Sequence, residues 1–225
     1  RAGPRILDNT AEPTTGKPRG HGDAVVMYST TKYIGGHGTS IGGLVIDGGN
    51  FDWEAQGDRF PTLNGPDPSY HGAVWTEAVK PLGPIAFILR MRVILLRDVG
   101  AAMSPMNAFL FIQGLETLPL RMRAHNENAV MVADYLKGQA KVTRVIFPGH
   151  QDGEARRRAD AYLKGGFGAL VGFELEGGKE SGRAFIDALQ MIYHVANIGD
   201  ARTLAIHPAT TTHSQLSAED QLATW

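Results

Sequence analysis

Cysteine is absent from this 225-residue chain, and neither sign of charge is in excess. Without cysteine there is no disulfide framework and no cysteine-ligated zinc site, a pattern that fits a reducing cytoplasm. The 22 Lys and Arg residues nearly balance the 23 Asp and Glu residues, so no bulk charge favours nucleic acid or an anionic membrane as a partner. The longest strongly apolar run, residues 85–96, is interrupted by Arg90 and Arg92 and is too short to cross a bilayer.

The remaining composition is that of a folded protein. Hydrophobic residues make up 43% and charged residues 20% of the chain, which suits one large core or two smaller ones. The chain begins at Arg1 and stops at Trp225 within a polar segment. We therefore expect it to be an internal portion of a longer protein, incomplete at both ends.

A single lysine lies among hydroxyls and glycines in the stretch 28–43. Lys32 follows a short apolar run, residues 24–27, which predicts a buried strand that ends in a loop. Ser29 and Thr31 offer hydroxyls to phosphate oxygens, and the glycines let the backbone approach a ligand closely. Partial desolvation would favour the neutral amine that forms an imine with a carbonyl cofactor.

A carboxylate precedes this lysine at the end of another predicted strand, residues 5–10. Asp8 and Lys32 are therefore expected at neighbouring strand ends. A pyridoxal phosphate site needs such a pair, because the amine forms the Schiff base and the acid keeps the pyridine nitrogen protonated. An isolated lysine is usually a solvated surface charge, but this context favours the cofactor interpretation.

Six segments in chain order resemble the Cys/Met-metabolism pyridoxal-phosphate enzymes. They are Asp8 to Thr10, Ser29 to Gly38, Asp67 to Gly72, Gly114 to Leu118, Asn197 to Ala201 and His207 to Leu216. The resemblance implies an α/β protein of the fold-type I, aspartate-aminotransferase-like class. Residues 1–120 would be the C-terminal part of the large cofactor-binding domain. Residues 121–225 would be the linking helix and a truncated small α/β C-terminal domain.

The same resemblance implies roles for individual residues. Lys32 would carry the cofactor as the Schiff-base lysine, Asp8 would face the pyridinium nitrogen, and Ser29 and Thr31 would bind the cofactor phosphate. Asn197 would lie near the substrate carboxylate. The implied reaction is γ-replacement of O-acetyl-L-homoserine with sulfide or a thiol, giving homocysteine or a thioether and acetate, in methionine and cysteine biosynthesis. Family members form homotetramers with sites shared between subunits.

Several alternatives remain open at this point. Related enzymes eliminate methionine, make cystathionine or prefer the succinyl ester, and an inactive fragment is the non-catalytic alternative. The Gly36-His37-Gly38 segment begins a dinucleotide-binding pattern, but its third glycine is replaced by Ile41. Ser40 is not expected to be a hydrolase nucleophile. His207 and His213 lack an acidic third ligand at useful spacing, so we predict no metal site.

The rest of the chain predicts an irregular segment at 50–71, a helix over 83–99 whose arginines face solvent, and one helix on each side of Pro119. Apolar residues at steps of three and four mark one face of the second helix. His125 lies on this face and is expected to be packed and hydrogen-bonded. Beyond it we predict a smaller alternating set of elements. Its strands are expected at 142–147, 169–175 and 203–206, and its helices at 152–163 and 179–191.

Overall fold

The computed structural model describes residues 3–14 and 16–223. Its strands are β1 Ile6–Asp8, β2 Val25–Ser29, β3 Gly43–Asp47, β4 Val142–Ile146, β5 Gly172–Leu175, β6 Tyr193–His194 and β7 Leu204–Ala205. Its α-helices are α1 Pro61–Asn64, α2 Trp75–Ala78, α3 Ala86–Arg90, α4 Pro105–Lys137, α5 Gly153–Tyr162, α6 Gly178–Asp187 and α7 Ala218–Ala223. Short 3₁₀ segments cover Pro18–His21, Glu54–Arg59, Pro68–Tyr70, Lys80–Leu82, Pro148–His150 and Pro208–Thr210, and π-helical segments cover Thr30–Ile34 and Met91–Asp98.

The chain forms two compact units that interleave along the sequence. Unit 1 comprises the described parts of 1–10, 17–30 and 41–109, and unit 2 the described parts of 11–16, 31–40 and 110–225. The domain division expected between residues 120 and 121 stays a prediction.

Unit 1 contains a three-stranded sheet, which includes the two strands predicted at residues 5–10 and 24–27. Strand β2 lies at its centre, parallel to β1 and antiparallel to β3. Asp8 pairs with Met27, so β1 and β2 end side by side. Val25 and Val26 are buried, which explains why the apolar run of the sequence marks this central strand. The register therefore brings the end of β1 to the point where the chain leaves β2 for the lysine.

The core of unit 1 is aromatic. Trp53 and Trp75 are buried together with Leu63 and Val79. The Phe87 ring stacks on Trp53 with centroids 5.2 Å apart and planes 15° apart. Large rings contribute much apolar area for few ordered torsions, which favours a stable core in a segment of short helices.

The segment at 50–71 is not irregular, as the sequence suggested, but contains three short helices. Prolines at the first positions of two of them are compatible with helix geometry, so they start structure here instead of preventing it. Asp67 caps the last one. Its carboxylate accepts hydrogen bonds from the Ser69 backbone N at 3.0 Å and from the Trp75 Nε1 at 2.8 Å.

The arginines after residue 83 do not all face solvent. Arg90 Nε lies 3.3 Å from the buried Asp67 Oδ2, forming an ion pair with a carboxylate that is 6% exposed. The helical stretch itself begins at Ala86 and changes to a π-helical segment at Met91. The prediction of a single helix with a solvent-exposed basic face is therefore wrong at Arg90, because this side chain forms an ion pair with a buried carboxylate twenty-three residues earlier.

Helix α4 is continuous through Pro119, so the predicted break into two helices is wrong. An interior proline removes one backbone donor and crowds the preceding turn. Burial of one face outweighs this cost, because tertiary packing supplies most helical stability in proteins. The buried positions of this face are Phe111, Gly114, Leu118, Met122, Asn126, Ala129 and Ala133.

The remaining part of unit 2 alternates strands and helices as predicted, with shorter elements. Strands β4 and β5 form an antiparallel pair, and β6 and β7 a parallel pair. A core cluster forms where Ala129 and Ala133 of α4 pack with Phe147. Within the part of the chain that the structure describes, no helix has the length and apolar character required to cross a membrane.

Candidate active site

The ends of β1 and β2 are joined through Thr10, inside unit 1. The Thr10 backbone N donates to Asp8 Oδ1 at 2.9 Å, and Thr10 Oγ1 donates to the same oxygen. The backbone N of Ser29 in turn donates to Thr10 Oγ1 at 2.7 Å. This chain of bonds holds the Asp8 carboxylate in a fixed orientation next to the residue that opens the hydroxyl-rich segment.

The lysine does not lie in an open loop. It lies in a π-helical turn, Thr30–Ile34, which we call the lysine turn, and Lys32 itself leaves helical geometry with φ −89° and ψ −127°. The Gly36 backbone N closes the turn by donating to the Lys32 carbonyl at 2.8 Å. The sequence predicted the position of the lysine after β2, but the glycines that suggested a loop begin only after this turn.

The amine of Lys32 meets a side chain from a distant part of unit 2. Lys32 Nζ donates to Asn197 Oδ1 at 2.5 Å, and both side chains are half-buried. Asn197 begins a turn whose Ala201 backbone N donates to the Gly36 carbonyl at 2.8 Å. Two contacts thus tie the segment at 197–201 to the lysine turn and its continuation.

Gly199 allows this approach because it has no side chain. Its φ is +75°, and an added Cβ would overlap the Tyr33 backbone N and lie 2.8 Å from the Tyr33 Cα. A positive φ and a close backbone contact both favour glycine. The Asn197 amide can therefore reach the lysine only because residue 199 is glycine.

An ion pair between the buried Asp200 and the exposed Arg202 stabilises this turn. The Asp200 side chain is 4% exposed, and its Oδ2 accepts from Arg202 Nη2 at 2.8 Å while its Oδ1 accepts from Arg202 Nε at 3.0 Å. These bonds lower the pKa of Asp200. The Arg202 guanidinium also lies 4.9 Å from the centre of the Tyr193 ring. The turn that carries Asn197 is therefore braced by a charge pair and an aromatic contact.

Tyr33, the residue after Lys32, is buried. Its side chain is 2% exposed, and burial, reinforced by the charge of Glu12, raises its pKa to about 12. The His125 ring meets the Tyr33 ring edge-on at 5.6 Å. Burial and the nearby Arg121 lower the pKa of His125. His125 is packed as predicted, but its buried Nε2 has no hydrogen-bond partner among the described residues.

Helix α4 approaches the lysine turn at Gly114. A Cβ at this position would overlap the Ile34 carbonyl oxygen and lie 2.8 Å from the Gly35 carbonyl oxygen. The sequence pattern marked the Gly114 segment only by resemblance, because helix periodicity assigns no role to a glycine.

Comparison with known proteins shows the family to which the chain belongs. The model for Cys/Met metabolism PLP-dependent enzymes matches residues 4–224. The chain belongs to this family. It is 47% identical to O-acetyl-L-homoserine sulfhydrylase of Leptospira meyeri over 227 residues, which cover 98% of this chain and 51% of that protein. It is 48% identical to O-acetyl-L-homoserine sulfhydrylase 1 of Thermus thermophilus, covering 91% of this chain and 48% of that protein.

Solved structures of PLP-dependent enzymes confirm the predicted α/β, fold-type I class. A crystal structure from Campylobacter jejuni, assigned as an O-acetylhomoserine (thiol)-lyase and containing N'-pyridoxyl-lysine-5'-monophosphate, has a TM-score of 0.86 and 37% identity. The matched region covers 96% of this chain and 51% of the Campylobacter jejuni chain. Cystathionine gamma synthase of Xanthomonas oryzae pv. oryzae has a TM-score of 0.70 and 33% identity, covering 97% and 47%. The chain thus spans about half the length of the relatives it matches.

The residues present fit pyridoxal phosphate, the cofactor of this PLP-dependent family. Unit 2 supplies a half-buried primary amine held by an amide oxygen, and unit 1 supplies an oriented carboxylate beside the Ser29 segment. An amine, a carboxylate and hydroxyl or backbone donors are the groups that bind the aldehyde carbon, the ring nitrogen and the phosphate of this cofactor. The donor set therefore has the required chemistry in each unit.

The structure brings the predicted residues together in two groups. Asp8 and Ser29 are linked in unit 1 through Thr10, and Lys32 and Asn197 are bonded in unit 2. Sequence reasoning gave no role to Thr10, although an Asp followed two residues later by Thr is a pattern in which side chain and backbone bond locally.

Ser40 lies in Gly38-Thr39-Ser40-Ile41-Gly42, which does match the spacing of a hydrolase nucleophile elbow. That motif requires a sharp turn between a strand and a helix, with an exposed hydroxyl. Ser40 is instead buried, precedes strand β3, and its Oγ has no hydrogen-bond partner among the described residues. The elbow is therefore not formed.

No group of three or more His, Cys, Asp or Glu side chains within residues 3–14 and 16–223 is arranged to hold a metal ion.

Proposed function

We propose that the complete protein is an O-acetyl-L-homoserine sulfhydrylase. It would convert O-acetyl-L-homoserine and sulfide, or a thiol, to L-homocysteine, or a thioether, and acetate in methionine and cysteine biosynthesis. The single observation that carries the proposal is the 2.5 Å bond between Lys32 Nζ and Asn197 Oδ1, within a chain that matches O-acetyl-L-homoserine sulfhydrylases at 44–48% identity.

In this proposal Lys32 would hold pyridoxal phosphate through its Nζ. Asp8 would keep the pyridine nitrogen protonated, and Ser29 and Thr31 would bind the phosphate. When bound, the cofactor supplies an electron sink for a carbanion next to the substrate amine. The bonds from Thr10 to Asp8 support this assignment, because they restrict the carboxylate to one orientation.

Lys32 would have a second task. Its primary amine would move protons at the Cα and Cβ atoms of the substrate, as a positioned general base and acid. Asn197 accepts a hydrogen bond from the amine in the present arrangement, and we assign it a further contact with the substrate carboxylate. One amide would then orient both the proton carrier and the substrate.

Borohydride reduction followed by peptide mass spectrometry tests the lysine assignment. We expect the pyridoxyl adduct on Lys32, and its loss together with the cofactor absorbance band in Lys32→Ala. Lys80→Ala is the matched control, because the Lys80 side chain is 67% exposed and forms an ion pair with Glu54, which is also exposed. An adduct on another lysine would overturn the assignment, and no adduct at all would favour an inactive fragment.

Product analysis tests the reaction. We expect acetate and homocysteine from O-acetyl-L-homoserine and sulfide, with slower turnover of the succinyl ester. Cystathionine as the main product when cysteine is supplied would favour a cystathionine synthase instead. Release of ammonia and a 2-oxo acid from methionine would favour a γ-lyase.

A cytoplasmic homotetramer with sites shared between subunits completes the proposal. The absence of cysteine supports a reducing compartment. Light scattering coupled to size-exclusion chromatography tests the assembly: a mass of four protomers agrees with it, and a monomer contradicts it.

A further inference from the structure

Arg121 on helix α4 donates to backbone carbonyls of both the lysine turn and the helix itself. Its Nη1 donates to the Tyr33 carbonyl at 2.7 Å, and its Nη2 donates to the carbonyls of Ile34 at 3.2 Å and Gly114 at 2.7 Å. Its Nε donates to Thr117 Oγ1 at 3.1 Å. Four of the five N–H donors of one guanidinium are therefore used.

This arginine does not take part in an ion pair within the described residues, 3–14 and 16–223. Its side chain is half-buried, and burial lowers its pKa. A partly buried cation without a carboxylate must be compensated by other dipoles. Here the compensating groups are three backbone carbonyls, two of which belong to the residues directly after Lys32.

The surrounding geometry makes the contact specific. An added Cβ at Gly36 would lie 2.7 Å from the Arg121 Cζ, so the guanidinium lies directly against the backbone that leaves the lysine turn. On another side of Tyr33, Gly199 packs on its backbone and Ala201 N bonds to the Gly36 carbonyl. The backbone after Lys32 is thus held by α4 through Arg121 and by the Asn197 segment through Gly199.

We infer that Arg121 is a positioning residue for Lys32, which fixes the backbone of residues 33–36 against α4 so that the lysine amine meets Asn197. The inference rests on the proposed function of Lys32. Lysine cannot replace Arg121 in this role, because one ammonium lacks the planar fork that reaches several carbonyls at once. Guanidinium ion in solution can replace the missing group.

The test compares Arg121→Ala and Arg121→Lys with Arg123→Ala, an exposed arginine of the same helix. Two quantities are measured: the exchange rate of the Gly36 amide, which donates to the Lys32 carbonyl, and the yield of borohydride-trapped pyridoxyl adduct on Lys32. Each bond to a charged group affects an equilibrium by about tenfold or more. We therefore expect at least about tenfold faster Gly36 exchange and a reduced adduct yield in both Arg121 variants.

Added guanidinium should restore both quantities in Arg121→Ala, whereas methylammonium at the same concentration should not. Exchange and adduct yield equal to those of Arg123→Ala would overturn the inference, as would equal rescue by both cations. Arg121→Lys keeps the charge and supplies the comparison if Arg121→Ala does not fold. If the unmodified protein forms no adduct on Lys32, the proposed function fails, while the exchange rates still decide whether Arg121 fixes the turn.

Discussion

Replacing Gly114 by alanine tests whether close contact between α4 and the lysine turn is essential. The new Cβ would overlap the Ile34 carbonyl oxygen and lie 2.8 Å from the Gly35 carbonyl oxygen and 3.1 Å from the Gly35 Cα. All three are backbone atoms, which cannot rotate away. The helix and the lysine turn must therefore separate.

Two effects of opposite sign determine how much Gly114→Ala changes the free energy of unfolding. Alanine is better than glycine inside a helix by about 1 kcal/mol, whereas overpacking a tight contact costs about 1–3 kcal/mol and occasionally more. Because the overlap involves fixed backbone atoms, we expect the upper end of that cost. The net loss of unfolding free energy should be about 2 kcal/mol.

Urea denaturation of Gly114→Ala and Gly138→Ala measures this difference. Gly138 follows the same helix, and its added Cβ would meet only the Tyr135 carbonyl at 3.5 Å, an ordinary contact. We expect Gly138→Ala to be neutral or stabilising by up to about 1 kcal/mol. The reasoning is refuted if Gly114→Ala is as stable as Gly138→Ala, or if it is less stable but traps the Lys32 adduct with unchanged yield.

Three further perturbations follow from the structure. Burial raises the pKa of the Tyr33 phenol to about 12. The contribution of the neutral phenol to folding stability is therefore complete below about pH 10 and is lost as the pH rises through 12. Absorbance titration should show one phenol that ionises late, and Tyr33→Phe should remove this phase. Hydrogen bonds from Ser69 and Trp75 lower the pKa of Asp67 from 3.8 to about 2, so the contribution of the ionised carboxylate to folding stability is present above about pH 4 and is lost as the pH falls through 2. The urea midpoint of Asp67→Asn should therefore fall less steeply over that window than that of the unmodified protein. Parallel curves would contradict this. Asn126→Ala leaves the buried Gly168 N–H without its 2.7 Å acceptor, which should cost about 1–3 kcal/mol in urea denaturation; a loss no larger than that of an exposed asparagine variant on the same helix would contradict it.

The sheet and the position of the lysine could be predicted from local sequence. The apolar run before Lys32 gives a central strand because both faces of β2 need apolar residues where Val25 and Val26 are buried. Asp8 could be placed at the neighbouring strand end because strands close in sequence usually pair. Both conclusions rest on patterns a few residues long.

The contacts that orient the lysine could not be predicted in this way. Arg121 is 88 residues from Tyr33, and hydrophobic periodicity along α4 assigns no acceptor to a polar side chain. The continuity of α4 through Pro119 was missed because a local rule about proline was outweighed by packing along the whole helix. The π-helical turn at Lys32 has no sequence signature comparable to a glycine loop.

The bond between Lys32 and Asn197 spans 165 residues of sequence. At the ordinary pace of translation, about 5–20 residues per second, the amide is synthesised roughly 10–30 s after the amine. During that interval the nascent chain contains the amine but not the side chain that orients it. Premature termination before Asn197 would release polypeptides with the same defect, so cofactor capture should report completed synthesis through that residue.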